Sequence, residues 1–391
     1  MRRAADVLLA ATAITIPLST TGMQVGVGGL AALAVASVPA GWGIVRRTPL
    51  DGALLLFFGV LALSTLASGH PLAATGWARP WVVLGYFVVF WWLRDGKHAA
   101  RFVRLLVLAA SVTAVYAIVQ HYTGADWYRV LLGRQKLVRV RDAESTGFAV
   151  VGFFANYLTF AHAMLFPLAW ATALAVRGFV VGIVGGPAIA LALVFSTARG
   201  AWLAAVVAAV ATALLDRGRL AALVVAGLFV AAAAGFALAP ELRGHAAAMF
   251  SSGGENAGRV GIYRANLDII HDHPVLGLGF GRYRAAATPY YDAHPEADRR
   301  SHAHSNYLQI AAEAGLVGLA AFGFLFATVL RVGWRAIVRA PDAAAWATAA
   351  GAWVGVLAFL VGGVTQYSFG DNEVALAMWT TVAILMRTAE S

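Results

Sequence analysis

Stretches of about twenty apolar residues recur along nearly the whole chain, and that recurrence decides what it can fold into. A helix rises about 1.5 Å per residue, so about twenty such residues cross the roughly 30 Å hydrocarbon layer of a bilayer. Composition agrees: 60% of the residues are hydrophobic and only 12% are charged. A soluble domain carries roughly twice that share of charge. The runs lack the period-two alternation of a membrane β-strand. The expected fold is an all-α integral membrane protein.

The spacing predicts about twelve transmembrane helices, at residues 5–22, 24–45, 50–68, 77–93, 102–120, 150–176, 179–196, 200–215, 220–239, 305–330, 345–366 and 373–387. The start, "MRRAADVLLAATAITIPLS", reads as the first span and not as a cleaved signal, because another span follows it. Three parts result: spans one to nine within 1–239, a large and partly helical loop over 240–304, and the last three spans over 305–391. A shorter loop falls at 121–149.

Basic residues orient the bundle. With the N-terminus inside, the inner turns and ends hold Arg2, Arg3, Arg46, Arg47, Arg94, Lys97, Arg101, Arg104, Arg177, Arg217, Arg219, Arg331, Arg335, Arg339 and Arg387. The short outer turns near 69–76, 197–198 and 367–372 hold no Lys or Arg. Both long loops then lie outside, and both are basic. The first carries Arg129, Arg134, Lys136, Arg139 and Arg141; the second carries Arg243, Arg259, Arg264, Arg282, Arg284, Arg299 and Arg300. Long loops escape the orientation rule. The net charge of +10 is thus explained by orientation and by an anionic substrate, not by nucleic acid. There is no cysteine, which excludes disulfides, thiol catalysis and Cys–zinc sites.

Three motifs meet on the outer side. In "STARGAWLA" (196–204), Arg199 opens the eighth span, where a charge is costly unless paired or hydrated. A snorkelling arginine at a helix end is the plain alternative. In "GRVGIYRANLDIIHDHPVLGLGFGRYR" (258–284), Gly258 reads as a turn before a helix. Arg259, Tyr263 and Asn266 would then share a face. The plain alternative for Arg259 and Arg264 is a solvated loop surface. The G-L-G-F-G within it lacks the strand and helix of a dinucleotide site. In "RRSHAHSNYLQIAAEAGLVG" (299–318), Ser305 is placed to cap the tenth span, with His304 at the membrane boundary. Glu313 lies about 13 Å deeper by helical rise and needs a partner, preferably a structural one.

His302 and His304, with His271, Asp272 and His273 elsewhere in the loop, raise a metal alternative. No H-E-x-x-H is present and the ligand set is diffuse, so no metal and no cofactor are expected. Arginines with a histidine suit glycosyl transfer from a lipid diphosphate sugar. Guanidinium groups bind phosphate bidentately and stabilise charge on the leaving diphosphate. A neutral histidine takes the proton of the attacking hydroxyl.

The pieces "FSTARGAWLA", "GR…Y" with "HPVLGLGFG", "HSNYLQIAAEAGLVG" and "GDNEVALAMW" resemble the O-antigen ligase and polymerase superfamily of bacterial envelope proteins. Two departures are Tyr263, where that family commonly has Trp, and Ser305, where it frequently has Asn. The resemblance implies an inverting, metal-independent transferase in the inner membrane, with its site on the periplasmic face. It implies an undecaprenyl diphosphate-linked glycan as donor and the lipid A core of lipopolysaccharide as acceptor. It places the essential groups on Arg199 and Arg259, which would bind diphosphate, and on His304, the catalytic base. Arg264, His302, Tyr307 and Glu313 form a possible secondary set. Polymerases and protein-glycosylating ligases share these motifs. From another class, a transporter of an anionic lipid also fits a many-span bundle with internal arginines.

Overall fold

Polar residues at the helix starts set the frame. Ser19, Asp95, Asn156, Ser305, Asp342 and Asp371 each accept a hydrogen bond from a backbone N–H in the first turn that follows. Such caps satisfy donors that have no intrahelical partner. The computed structural model describes residues 1–41, 43–69, 77, 80–133, 148–238, 255–297 and 302–390, which are helical with no strand. Arg134, Lys136, Arg139 and Arg141 of the first loop lie outside the described residues. So do Arg243, His245, Arg299 and Arg300 of the second.

In chain order the helices are α1 (Arg2–Thr15), α2 (Thr20–Ser37), α3 (Asp51–Ala67), α4 (Leu84–Trp92), α5 (Gly96–Thr123), α6 (Trp127–Leu131), α7 (Tyr157–Val176) and α8 (Val180–Ser196). Then follow α9 (Arg199–Asp216), α10 (Arg219–Leu238), α11 (Glu255–Asp272), α12 (Tyr283–Ala286), α13 (Thr288–Ala293), α14 (Asn306–Val338), α15 (Ala343–Gly362) and α16 (Asn372–Ala389). Seven of them are long and apolar enough to cross a membrane: α2, α5, α7, α9, α10, α14 and α15. Shorter apolar helices cover Asp51–Ala67, Trp81–Trp92 and Val180–Ser196. The two remaining apolar segments, in α1 and α16, carry charges near their ends and fall in neither group. Length and composition therefore support a multi-pass, all-helical membrane protein without reaching twelve spans.

α7 is the centre of the bundle. Every residue from Thr159 to Val176 is buried, as expected for a helix apolar all round. It packs on α8, α9 and α15. Close approach to α15 relies on Gly351, where a Cβ would overlap the Trp170 ring. At one end of the bundle, polar contacts join helix termini. Arg94 pairs with Asp6 (3.1 Å) and Arg177 with Asp216 (2.9 Å), while Arg387 and Glu390 pair within the end of α16 (2.9 Å). Arg177 also lies 3.9 Å above the Trp346 ring.

α11 to α13 build a second, smaller core around Ile262, Ile269, Tyr283 and Tyr291. Gly258, which reads as a turn in the sequence, lies inside α11, because the helix already begins at Glu255. Asn266 belongs to this core: its Nδ2 donates to Tyr283 Oη at 2.7 Å and to the Ile262 carbonyl at 2.8 Å. It therefore does not join Arg259 in one functional face.

The G-L-G-F-G stretch has a structural task. α14 breaks at Gly315 (φ 67°, ψ −172°), and the chain after α11 docks into the break. Leu278 N–H donates to the Ala312 carbonyl and Gly279 N–H to the Glu313 carbonyl, each at 2.9 Å. In return Leu316 N–H donates to the Pro274 carbonyl at 2.8 Å and Val317 N–H to the Val275 carbonyl at 3.4 Å. The broken helix thus regains partners for its backbone groups. Gly277 (φ 66°) lies against the Ala312–Ala314 backbone, where a Cβ would overlap it.

Candidate active site

Arg199 is the first residue of α9, reached from α8 by a sharp turn through Thr197 and Ala198. Thr197 has φ 65°, and His304 has φ 51°. Left-handed backbone is unusual for residues with a side chain and concentrates at functional sites. The turn is held against the segment after α15: a Cβ on Gly200 would overlap Thr365 Oγ1.

The last residues of α15 and that segment, together residues 360–369, gather the other elements. Asn306 N–H donates to the Gly363 carbonyl (2.7 Å), and Asn306 Oδ1 accepts from Phe369 N–H (2.9 Å). Tyr307 Oη donates to the Leu360 carbonyl at 2.8 Å, which fixes the start of α14. Tyr263 Oη approaches the Val364 carbonyl at 3.5 Å and brings α11 to the same place. Burial pushes the Tyr263 phenol up, against the opposing pull of the Arg259 guanidinium, so it stays a donor.

Between these elements lies a cavity of about 430 Å³, lined by Arg199, Arg259, Gln366, His162, Thr197 and Thr365, among others. Arg199 and Arg259, sixty residues apart in sequence, thus face one space. No Asp or Glu is among the described residues that line it. Two guanidinium groups facing one space suit it to an anion. His304 stands beside the cavity, with Nδ1 3.1 Å from Gln366 Oε1. An amide oxygen only accepts, so Nδ1 carries the proton and Nε2 is the basic atom.

The remaining sequence candidates fall elsewhere or serve packing. His302 Nδ1 accepts from His304 N–H at 3.3 Å, and its ring lies 4.3 Å from that of His304 between centroids. Arg264 is exposed and pairs with Glu296 at 3.3 Å, on the outer surface of the small core. Glu313 is 5% exposed. Its Oε1 accepts from Tyr283 N–H at 3.3 Å, so it anchors the docked loop. Among the described residues, no three His, Asp or Glu side chains gather as a metal site would require. Arg129 of the first loop pairs with Asp126.

Two lining residues escape a motif-based reading. Gln366 sits in the turn between α15 and α16, and no charge adjoins it to mark it. His162 interrupts an apolar run, "YLTFAHAMLFP", and an ionisable group inside a span is a functional signal by itself.

One turn below Arg199, on the same helix, Trp202 lines an apolar groove of about 910 Å³ between α7, α8, α9 and α10. Leu193, Val194, Phe229 and Phe236 contribute to its walls. The Trp202 indole N–H donates to the Leu193 carbonyl at 2.9 Å, so its ring faces apolar neighbours with its polar atom satisfied.

No curated protein matches the chain. Residues 187–323 match the family model described as O-antigen ligase. The match runs from within α8 into α14 and includes Arg199, Arg259 and His304. Over this region the chain is similar to the O-antigen ligase family, which supports the O-antigen ligase and polymerase superfamily.

Proposed function

We propose that the protein moves a glycan from undecaprenyl diphosphate to the lipid A core of lipopolysaccharide, at the periplasmic face of the bacterial inner membrane. The observation that carries this reading is the meeting of Arg199 and Arg259 in one cavity, with an apolar groove one turn further along α9. Such a pair of spaces suits a molecule with an anionic diphosphate and an isoprenoid tail. A soluble nucleotide sugar has no use for the groove.

In the proposed reaction the two guanidinium groups hold the diphosphate. An acceptor hydroxyl oxygen attacks the anomeric carbon, and the bond from that carbon to the diphosphate oxygen breaks. The electron pair leaves with undecaprenyl diphosphate, whose charge the arginines stabilise. The hydroxyl proton passes to Nε2 of His304, with Gln366 holding the opposite nitrogen in its tautomer. A single displacement inverts the anomeric centre. No step needs a metal ion.

The test is turnover by purified protein with a defined lipid diphosphate-linked glycan. Product should form on a lipid A-core acceptor, and EDTA should leave the rate unchanged. Product only on a second lipid-linked glycan would make the protein a polymerase. Movement of the lipid across vesicles without any transfer would make it a transporter. Loss of rate on chelation, with rescue by a divalent ion, would remove the arginine-only mechanism.

The same reading proposes twelve spans, with both termini and the basic helix ends in the cytoplasm. A single cysteine replacing the exposed Ala285 should react with an impermeant thiol reagent added from the periplasmic side, since the chain has no native cysteine. Reaction only from the cytoplasmic side would invert the topology.

A further inference from the structure

The cavity contains a group that the proposed reaction does not use. His162 lies on α7, is 2% exposed, and lines the cavity beside Arg199 and Arg259. Its Nδ1 lies 2.9 Å from the Leu158 carbonyl oxygen. A carbonyl only accepts, so Nδ1 holds a proton and a neutral ring carries a lone pair on Nε2. Nε2 is buried and, among the described residues, no donor reaches it. The nearby Gly362 carbonyl is itself an acceptor and cannot satisfy a lone pair. Glycine at 362 keeps that side clear, since a Cβ there would stand 3.2 Å from Nε2.

A buried acceptor without a donor is uncommon and asks for a reason. The other polar groups along the buried length of α7, on Thr159, Trp170 and Thr172, all have partners, so a leucine would pack at 162 without leaving a polar atom unsatisfied. Diphosphate oxygens accept hydrogen bonds and do not donate, so a neutral Nε2 has nothing to offer them. The part of a lipid diphosphate sugar that has a donor next to the diphosphate is the first sugar. Its nearest O–H or N–H is on carbon 2, adjacent to the anomeric carbon.

Resting on the functional reading above, we infer that His162 Nε2 accepts a hydrogen bond from the carbon-2 hydroxyl or acetamido N–H of the diphosphate-linked sugar. His162 is then the residue that reads the identity of the first sugar. A site built to hydrogen-bond a substrate group discriminates against analogues that lack it, because its own buried atom stays unpaired.

The experiment compares wild type, His162→Leu and His162→Gln on two synthetic donors: a polyprenyl diphosphate sugar with its carbon-2 donor group, and the 2-deoxy counterpart. Gln places an acceptor near the position of Nε2; Leu does not. His162→Leu should keep or raise the wild-type Tm, since it removes an unsatisfied polar atom. On the complete donor it should lose about tenfold or more in kcat/KM, the scale of one buried hydrogen bond and the atom left unpaired. His162→Gln should recover part of that loss. The wild-type preference for the complete over the 2-deoxy donor should shrink about tenfold in His162→Leu. That ratio cancels the intrinsic reactivity of the deoxy sugar.

Equal donor preference in wild type and His162→Leu overturns the inference while leaving the transferase reading intact. So does a His162→Leu protein that binds polyprenyl diphosphate without any sugar more weakly, since that assigns His162 to the diphosphate as a cation. If His162→Leu does not fold, the same ratio in His162→Phe, which also lacks an acceptor, decides, and an unchanged preference overturns the inference. A wild type that neither binds nor transfers from either donor removes the functional reading itself, and this inference with it.

Discussion

In single-turnover transfer, His304→Ala is expected to run about 10²–10⁴-fold more slowly than wild type while donor binding largely survives. The magnitude is that of a lost general base. The division between rate and binding follows from position. Arg199 and Arg259 face the cavity, whereas His304 stands at its side and is held by Gln366 at 3.1 Å. Arg199→Ala should show the opposite pattern, with donor binding lost first. Arg199→Lys should recover little of it, because an ammonium lacks the planar fork that grips two oxygens at once. His302→Ala should cost less than His304→Ala, since His302 supports the backbone of His304 through its Nδ1 and has no assigned chemical step. Binding and rate must be measured on the same purified variants. Near-wild-type turnover in His304→Ala removes the base. Loss of donor binding as complete as in Arg199→Ala moves His304 into the diphosphate site and leaves the acceptor proton without a recipient.

The helices were legible, and Arg199 stood out as a candidate, because the signals are local. Long apolar runs, polar caps such as Ser305 and Asp371, and an arginine at the start of an apolar helix each need only a few neighbouring residues. The arrangement around them was not legible, because it comes from contacts between distant segments. Gln366 and Thr365 lie in a turn ahead of its one carboxylate, Asp371, and outside every motif, yet they face residues from near 200, 259 and 304. Asn266 shares a helical face with Arg259 by spacing, but Tyr283 draws it into the small core instead. The glycine-rich stretch at 277–281 read only as a stretch that lacks the surroundings of a dinucleotide site, and nothing local showed what it docks against. Gly315, inside an apolar run, gave no sign that α14 is broken.

That break sets the second large effect. Gly315→Ala should cost about 3 kcal/mol or more of stability and most of the transfer activity, although Gly315 lines neither the cavity nor the groove. Two terms act together. The backbone at φ 67° and ψ −172° lies in a region open essentially to glycine alone, so a side chain there costs on the order of 1–3 kcal/mol. A Cβ would also overlap the Val275 carbonyl, a backbone group that cannot rotate away. Relief requires the 274–279 segment to lift. The four hydrogen bonds across the break are then lost, and the amides of Leu316 and Val317 are left without partners. Lifting also frees α11, which ends at Asp272 just before the docked segment, and with it Arg259. Gly323→Ala is the internal control. It lies on the exposed side of the same helix, where a Cβ meets nothing within 4 Å. That change should be neutral or stabilise by about 0.5–1 kcal/mol through helix propensity. Thermal unfolding in detergent and transfer rate, measured on both variants, check the argument. If Gly315→Ala unfolds and works like Gly323→Ala, the loop does not depend on the break for its seat, and the placement of Arg259 needs another cause.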